Sequence, residues 1–201
     1  MPTLTIFAGI NGAGKTSLYN QQKKYFNFCE RINPDEILTQ FNGNWNSEND
    51  VTKSSLIALK KMNNLLKNKE SFNWETTIVT FTLLSRLSIA KSLGYKIVFK
   101  FIGVGDVKTA LDRIKFRVAN GGHGVDTKTV EQRFSKQFNG LGEVLNYVDK
   151  AIFYDNSTKM KVVATYENHS FANIDKSVKW TKNLLNLQSK QEQLAVQQLD
   201  K

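Results

Sequence analysis

Short apolar runs alternate along this chain with longer stretches whose apolar residues recur at helical spacing. Residues 4–8, Leu-Thr-Ile-Phe-Ala, read as a short buried strand, and residues 17–25 as a helix. Residues 28–32 form a candidate second strand that ends in Asn33-Pro34-Asp35, where Asn33 suits a helix cap and Pro34 the first helical position. The polar segment 42–50 reads as a loop. Val51, Leu56, Leu59, Met62 and Leu66 then mark an amphipathic helix over 51–68. Residues 71–77 alternate like a strand running into a loop, and 83–92 are helical up to a stop at Gly94. Residues 95–104 form the clearest strand, rich in β-branched and aromatic side chains. Asp106 opens a helix over 107–119. A glycine turn follows at 121–124, and Asp126 caps another helix whose entry Val125 and Val130 would staple. Strands are expected at 151–154 and 161–166, and a final helix at 178–199 that frays in its Gln- and Lys-rich end.

Strands alternating with helices predict an α/β fold, a parallel β-sheet with helices on both faces. No repeat or linker divides residues 1–201, so a single domain is expected, with a small helical lid at about 107–140. In such sheets ligands bind beyond the carboxyl ends of the strands, which gathers the segment after residue 8, Asp35 and Glu75 at one edge.

That first segment carries chemistry. Gly9-Ile10-Asn11-Gly12-Ala13-Gly14-Lys15-Thr16 is a complete phosphate-binding loop between a strand and a helix, which makes the fold of the P-loop NTPase or kinase type. Backbone N–H groups from Gly9 to Ser17, through Asn11, Gly12, Ala13 and Gly14, would cradle phosphate oxygens. Lys15 would reach the β- and γ-phosphates from an exposed loop, packing against nothing, and the Thr16 hydroxyl would hold Mg²⁺. ATP and Mg²⁺ are the expected cofactors.

Composition narrows the setting. The chain has 40% hydrophobic residues and two prolines, and no apolar run approaches the length of a membrane span. A soluble cytoplasmic protein is expected, and its single cysteine, Cys29, fits a reducing compartment. No Cys/His cluster has zinc spacing. The net charge of +10 invites a nucleic-acid reading. Its basic residues, however, are 23 lysines and five arginines spread over the chain, so no focused nucleic-acid groove is expected. The arginines are more telling: Arg113, Arg117 and Arg133 fall close together, and guanidinium forks suit phosphate.

Phosphoryl transfer needs neutralised phosphates, an in-line acceptor and a group to take its proton. Asp35, in the first turn of a helix at a strand's carboxyl end, is the candidate base. A capping role or a metal-positioning role are the alternatives. No hydrophobic run ends in paired acids, which favours a small kinase over a motor or switch NTPase. Arg113 and Arg117 share a helix face, and the glycine turn would fold Arg133 back toward them as a lid over ATP. Surface ion pairs with Asp112 or Glu131 are the alternative. His123 would touch phosphate or ribose, or else bond only to the backbone of its turn.

Taken in order, the phosphate loop, Asn33-Pro34-Asp35-Glu36-Ile37, Trp74-Glu75-Thr76-Thr77, the strand from Gly94, Arg117-Val118-Ala119-Asn120-Gly121-Gly122-His123 and Tyr154-Asp155-Asn156-Ser157 resemble the zeta toxin family, in its short branch. The resemblance spans residues 4–157. It implies a P-loop kinase toxin that uses ATP and Mg²⁺ to phosphorylate UDP-N-acetylglucosamine on a sugar hydroxyl, and a cognate antitoxin that obstructs the nucleotide site. It also implies Asp35 as general base and Glu75, flanked by Thr76, as a substrate-contacting acid. Lys15 and Thr16 become nucleotide-binding residues, and Arg117 and Arg133 the lid arginines. The best-known members are longer, with a more basic segment after the base than Glu36-Ile37-Leu38. Metabolite, nucleoside or RNA-end kinases without a toxin role are the rival readings.

Overall fold

Side chains alternate between the two faces of strand β1 (Thr3–Ala8), and both faces are apolar. Leu4, Ile6 and Ala8 enter one buried cluster and Phe7 a second. A strand covered on both sides belongs in the middle of a sheet. The computed structural model, which describes residues 1–25, 29–77 and 79–199, places it there. The remaining strands are β2 (Glu30–Ile32), β3 (Phe72–Thr76), β4 (Lys96–Gly103), β5 (Lys150–Asp155), β6 (Lys161–Glu167) and β7 (Ser170–Ala172). The seven strands lie in the order β2-β3-β1-β4-β5-β6-β7.

Helices cover both faces. Helices α3 (Glu48–Asn68), α4 (Phe81–Ser92), α7 (Leu141–Leu145) and α8 (Lys182–Leu199) supply Met62, Leu87, Val144 and Leu184 to the larger cluster, around Phe99, Phe101 and Phe153. On the other face, α1 (Lys15–Gln22), α5 (Val107–Ala119) and α6 (Thr127–Lys136) bring Leu18, Ile114 and Val130 against Phe7 and Ile102. This smaller cluster also takes in Ile10 and Ala13, so the arginine-bearing helices are rooted beneath the phosphate loop. The last helix, α2 (Pro34–Gln40), begins as expected: Asn33 Oδ1 accepts from the Asp35 N–H at 3.0 Å.

The expected parallel sheet holds from β2 to β5 and fails beyond. β6 pairs antiparallel with β5, and β7 with β6. Only residues 156–160 join β5 to β6, too few for the crossover that parallel neighbours need. Helix α3 starts at Glu48, inside the expected loop, because Ser47 caps it by accepting from the Asp50 N–H. Its buried stripe is Ser54, Ala58, Met62, Leu65 and Leu66, whereas Leu56 is 61% exposed and Val51 42%. In the first half of the helix the small residues Ser54 and Ala58 are buried in place of Val51 and Leu56, while Met62 and Leu66 are buried as expected. α1 begins at Lys15 and ends at Gln22 in a 3₁₀ turn, Lys23–Tyr25; a second such turn, Lys179–Thr181, delays α8 to Lys182. α7 and β7 are too short to show a periodicity, and the expected strand residue Phe28 lies outside the described residues.

Asp106 caps α5 as expected, accepting from the Thr109 N–H at 2.7 Å. Asp106→Ala should therefore cost about 1 kcal/mol, read as a lower urea midpoint at unchanged slope.

Candidate active site

The phosphate loop leaves β1 at Gly9, whose N–H donates to the Thr77 carbonyl at 3.0 Å. Two glycines have backbone reasons to be there. Gly12, at φ +77°, lies so close to the Ala110 carbonyl of α5 that a Cβ would collide with it, and Gly14, at φ +101°, is the left-handed residue that starts α1. Asn156, after β5, clamps the loop from outside by donating to the Ala13 carbonyl at 2.8 Å.

Lys15 is not the exposed lysine expected. It is 7% exposed, donates to the Ile10 carbonyl at 3.1 Å and lies 3.9 Å from Glu75 Oε1. Burial pulls its ammonium below the ordinary lysine pKa, against the opposing pull of Glu75 and then Asp35. The parallel register makes this meeting possible, because Phe7 and Ala8 pair with Glu75 and Thr76 and carry the loop to the carboxyl end of β3.

Glu75 is the hub of the site. Arg31 Nη2 donates to its Oε2 at 2.7 Å and Asn33 Nδ2 at 3.3 Å, while the Thr16 hydroxyl lies 3.2 and 3.3 Å from its two oxygens. Arg31 also pairs with Glu36 at 3.1 Å and lies over the Tyr19 ring at 3.7 Å. Burial pushes the Glu36 carboxyl up despite that arginine. Sequence reasoning passed over Arg31; the signal was a scarce arginine two residues ahead of Asn33-Pro34-Asp35.

Asp35 stands across the cavity from the loop. Its Oδ2 lies 2.8 Å from His123 Nε2. Burial raises its pKa, but the His123 hydrogen bond and charge, followed by Lys15 and Arg117, outweigh this and leave it below the ordinary carboxylate value. His123 is thus a side-chain partner of Asp35, while its backbone carbonyl accepts from Arg117 Nε at 2.8 Å. Arg133 Nη1 donates to Asn11 Oδ1 at 2.5 Å, and Arg113 reaches the Gly12 carbonyl at 3.4 Å. Arg113 and Arg133 thus turn to the phosphate loop, whereas Arg117 bonds the glycine turn and lines the cavity beside the loop. The alternative partner Asp112 is taken by Lys108 instead. Burial lowers the pKa of Arg117 and Arg133, and Arg117 Nη2 is buried without a hydrogen-bond partner among the described residues.

Two cavities meet in this cluster. One, of about 370 Å³, is lined by Gly12, Gly14, Lys15, Thr16, Ser17, Arg113 and Arg117. The other, of about 610 Å³, runs past Thr76 and Arg133 toward α3. Asn11, Lys15, Asn33, Asp35, Glu75 and His123 border both. A polyanion in the first would face cations and loop amides, and a hydroxyl in the second could approach Asp35. Among the described residues no cluster of three His, Cys, Asp or Glu side chains could hold a metal by itself. The Thr16 hydroxyl and Glu75 carboxylate do fit Mg²⁺, which takes few protein oxygens and leaves the rest to water and phosphate.

Solved structures share this architecture. A chain of the AvrRxo1-ORF1:ORF2 complex with ATP superposes with a TM-score of 0.72 at 16% identity over 90% of this chain, which spans 63% of that one. A chain of the PezAT chromosomal toxin–antitoxin system of Streptococcus pneumoniae gives a TM-score of 0.63 at 14% identity, covering 98% of this chain and 88% of that one. The chain has the P-loop kinase fold. The zeta-toxin resemblance read from the motifs thus extends to the architecture. In sequence, an uncharacterised Haemophilus influenzae protein is 27% identical over 128 residues, 64% of this chain and 89% of that one. No family profile matches.

Glu75 offsets two buried cations, so Glu75→Gln should destabilise the protein by about 3 kcal/mol in urea unfolding, as expected when a buried pair loses one partner. Asp35 adds a pH signature. A carboxyl whose folded pKa is depressed contributes stability that is present above the ordinary carboxylate pKa and is lost as pH falls through the folded value. The unfolding free-energy gap between the wild type and Asp35→Asn should therefore be flat above about pH 5 and shrink toward about pH 3.

Proposed function

We propose that this protein is an ATP-dependent phosphotransferase that moves the γ-phosphoryl group of ATP to a hydroxyl of a small molecule. The observation that carries the reading is the junction of the two cavities, where Lys15 and Asp35 border both the phosphate-loop side and the side open to an acceptor. Water as the acceptor would not account for a second cavity of about 610 Å³ beside the carboxylate.

The transfer follows from the positions of the groups. The loop amides and Lys15 hold the polyphosphate. Arg113, Arg117 and Arg133 take up charge on the transferring group, and Arg117 Nη2, without a partner among the described residues, would bond an equatorial oxygen. An acceptor hydroxyl in the second cavity attacks phosphorus, the bond to the bridging oxygen breaks, and ADP leaves with that electron pair. The hydroxyl proton passes to Asp35. Its low pKa keeps it ionised and ready as an acceptor at neutral pH. His123 fixes the carboxylate's orientation from the glycine turn. Mg²⁺, when bound, supplies further charge neutralisation at the phosphates, with Thr16 and Glu75 as the residues that would hold it.

The zeta-toxin resemblance nominates a UDP-N-acetyl amino sugar as acceptor and a cytoplasmic toxin held by a cognate antitoxin as the biological setting. The toxin–antitoxin system named for the PezAT structure supports that setting. No helix among the described residues is long and apolar enough to cross a membrane.

Asp35→Asn keeps size and most hydrogen bonding but loses the proton acceptor. Turnover should fall roughly a hundredfold or more, with Mg·ATP affinity by calorimetry nearly unchanged. Lost Mg·ATP binding would make Asp35 a metal-positioning residue, and full turnover would leave it a helix-start carboxylate. Arg117→Ala and Arg133→Ala should each lower turnover far more than ATP affinity, because their contacts strengthen as charge develops in transfer. Equal losses in both would make them ground-state clamps.

A further inference from the structure

The two cavities differ in charge. In the larger one, Lys15, Asp35 and Glu75 stand at the shared junction, and Arg133 is bonded there to Asn11 of the phosphate loop. Away from that junction the one charged side chain among the described lining residues is Asp126, whose carboxylate is occupied in capping α6, accepting from the Thr129 N–H at 3.0 Å. The remaining wall toward α3 is apolar and hydroxylic, with Trp45 at the rim, Leu59, Met62 and Trp74 inside, and Ser55 and Thr82 as polar points.

From this distribution we propose that the acceptor is a phosphate-free compound of nucleoside size, with its ring system on the Trp45–Met62 side and the reacting hydroxyl toward Asp35. The proposal rests on the kinase reading and departs from the sugar-nucleotide acceptor that the resemblance nominates. The cations within reach stand at the junction, Lys15 bordering both cavities and Arg133 bonded to Asn11 of the loop, so a diphosphate lying toward α3 would lose its hydration without gaining a counter-charge. It would also approach Asp126, Asp35 and Glu75. A ring loses little water on entering and gains contact with the indole and thioether groups. The volume of about 610 Å³ is ample for a nucleoside-sized ligand.

The test compares matched compounds on one preparation: uridine against UMP and UDP-N-acetylglucosamine, and adenosine against AMP. Binding is measured by calorimetry and phosphoryl transfer from ATP by mass spectrometry. The phosphate-free member of a series should have a kcat/KM at least roughly tenfold above its phosphorylated partners. Ser55→Lys, which adds a cation to the wall, should narrow that gap from the charged side. The inference is overturned if the phosphorylated members bind and react as well or better, or if no phosphate-free member does either. Mg·ATP titration on the same sample separates the two levels: intact ATP binding with a preference for UDP-N-acetylglucosamine removes this inference alone, whereas absent ATP binding removes the kinase reading with it.

Discussion

Removing the Lys15 ammonium from water is the constraint around which the site is organised. An isolated buried cation would lose its proton or unfold its surroundings. Here it faces a backbone carbonyl and Glu75, and Glu75 is itself fixed by Arg31, Asn33 and Thr16. The carboxylate must serve two cations, and Asp35 supplies the next negative charge across the cavity. Around the smaller cavity three cations, Lys15, Arg113 and Arg117, face three carboxylates, Asp35, Glu36 and Glu75, and Arg133 is bonded to Asn11, which borders it. Those cations and the loop amides suit a polyanion, and Arg117 Nη2, without a hydrogen-bond partner among the described residues, is the most local sign of it.

The fold supplies this arrangement through register. Pairing of Phe7 with Glu75 delivers a residue from β3 to the phosphate loop although almost seventy positions separate them along the chain. β2 ends beside β3 and hands Arg31, Asn33 and Asp35 to the same edge. On the opposite face, the cluster containing Ile10, Ala13, Ile114 and Val130 ties α5 and α6 to the loop, so the arginines are set by packing and not only by their own hydrogen bonds. The close approach of Gly12 to Ala110 is the backbone expression of that tie.

Local signals in the sequence were read well where one residue type answers one need. The loop glycines, the Asn33 and Asp106 caps, the αL residue Gly94 after α4 and the strand around Phe99 were all legible. What was hidden depends on partners distant in sequence. Lys15 looked exposed because nothing local announces Glu75 above it. Arg31 looked unremarkable because its function lies in a contact with β3. His123 could not be assigned because its ring meets Asp35 only after α5 and α6 fold back. The antiparallel edge was missed because β6 alone reads the same whether its neighbour runs with it or against it, and the brevity of the link to β5 was the overlooked clue.

The central claim is that the site passes phosphate to a second molecule and not to water. Incubating the protein with γ-labelled ATP, Mg²⁺ and a bacterial small-molecule extract, then resolving products by mass, tests it directly. The account predicts a labelled metabolite heavier by one phosphoryl group, formed by the wild type and absent with Lys15→Met. Label appearing only as inorganic phosphate, or ATP bound and returned unchanged, would contradict it.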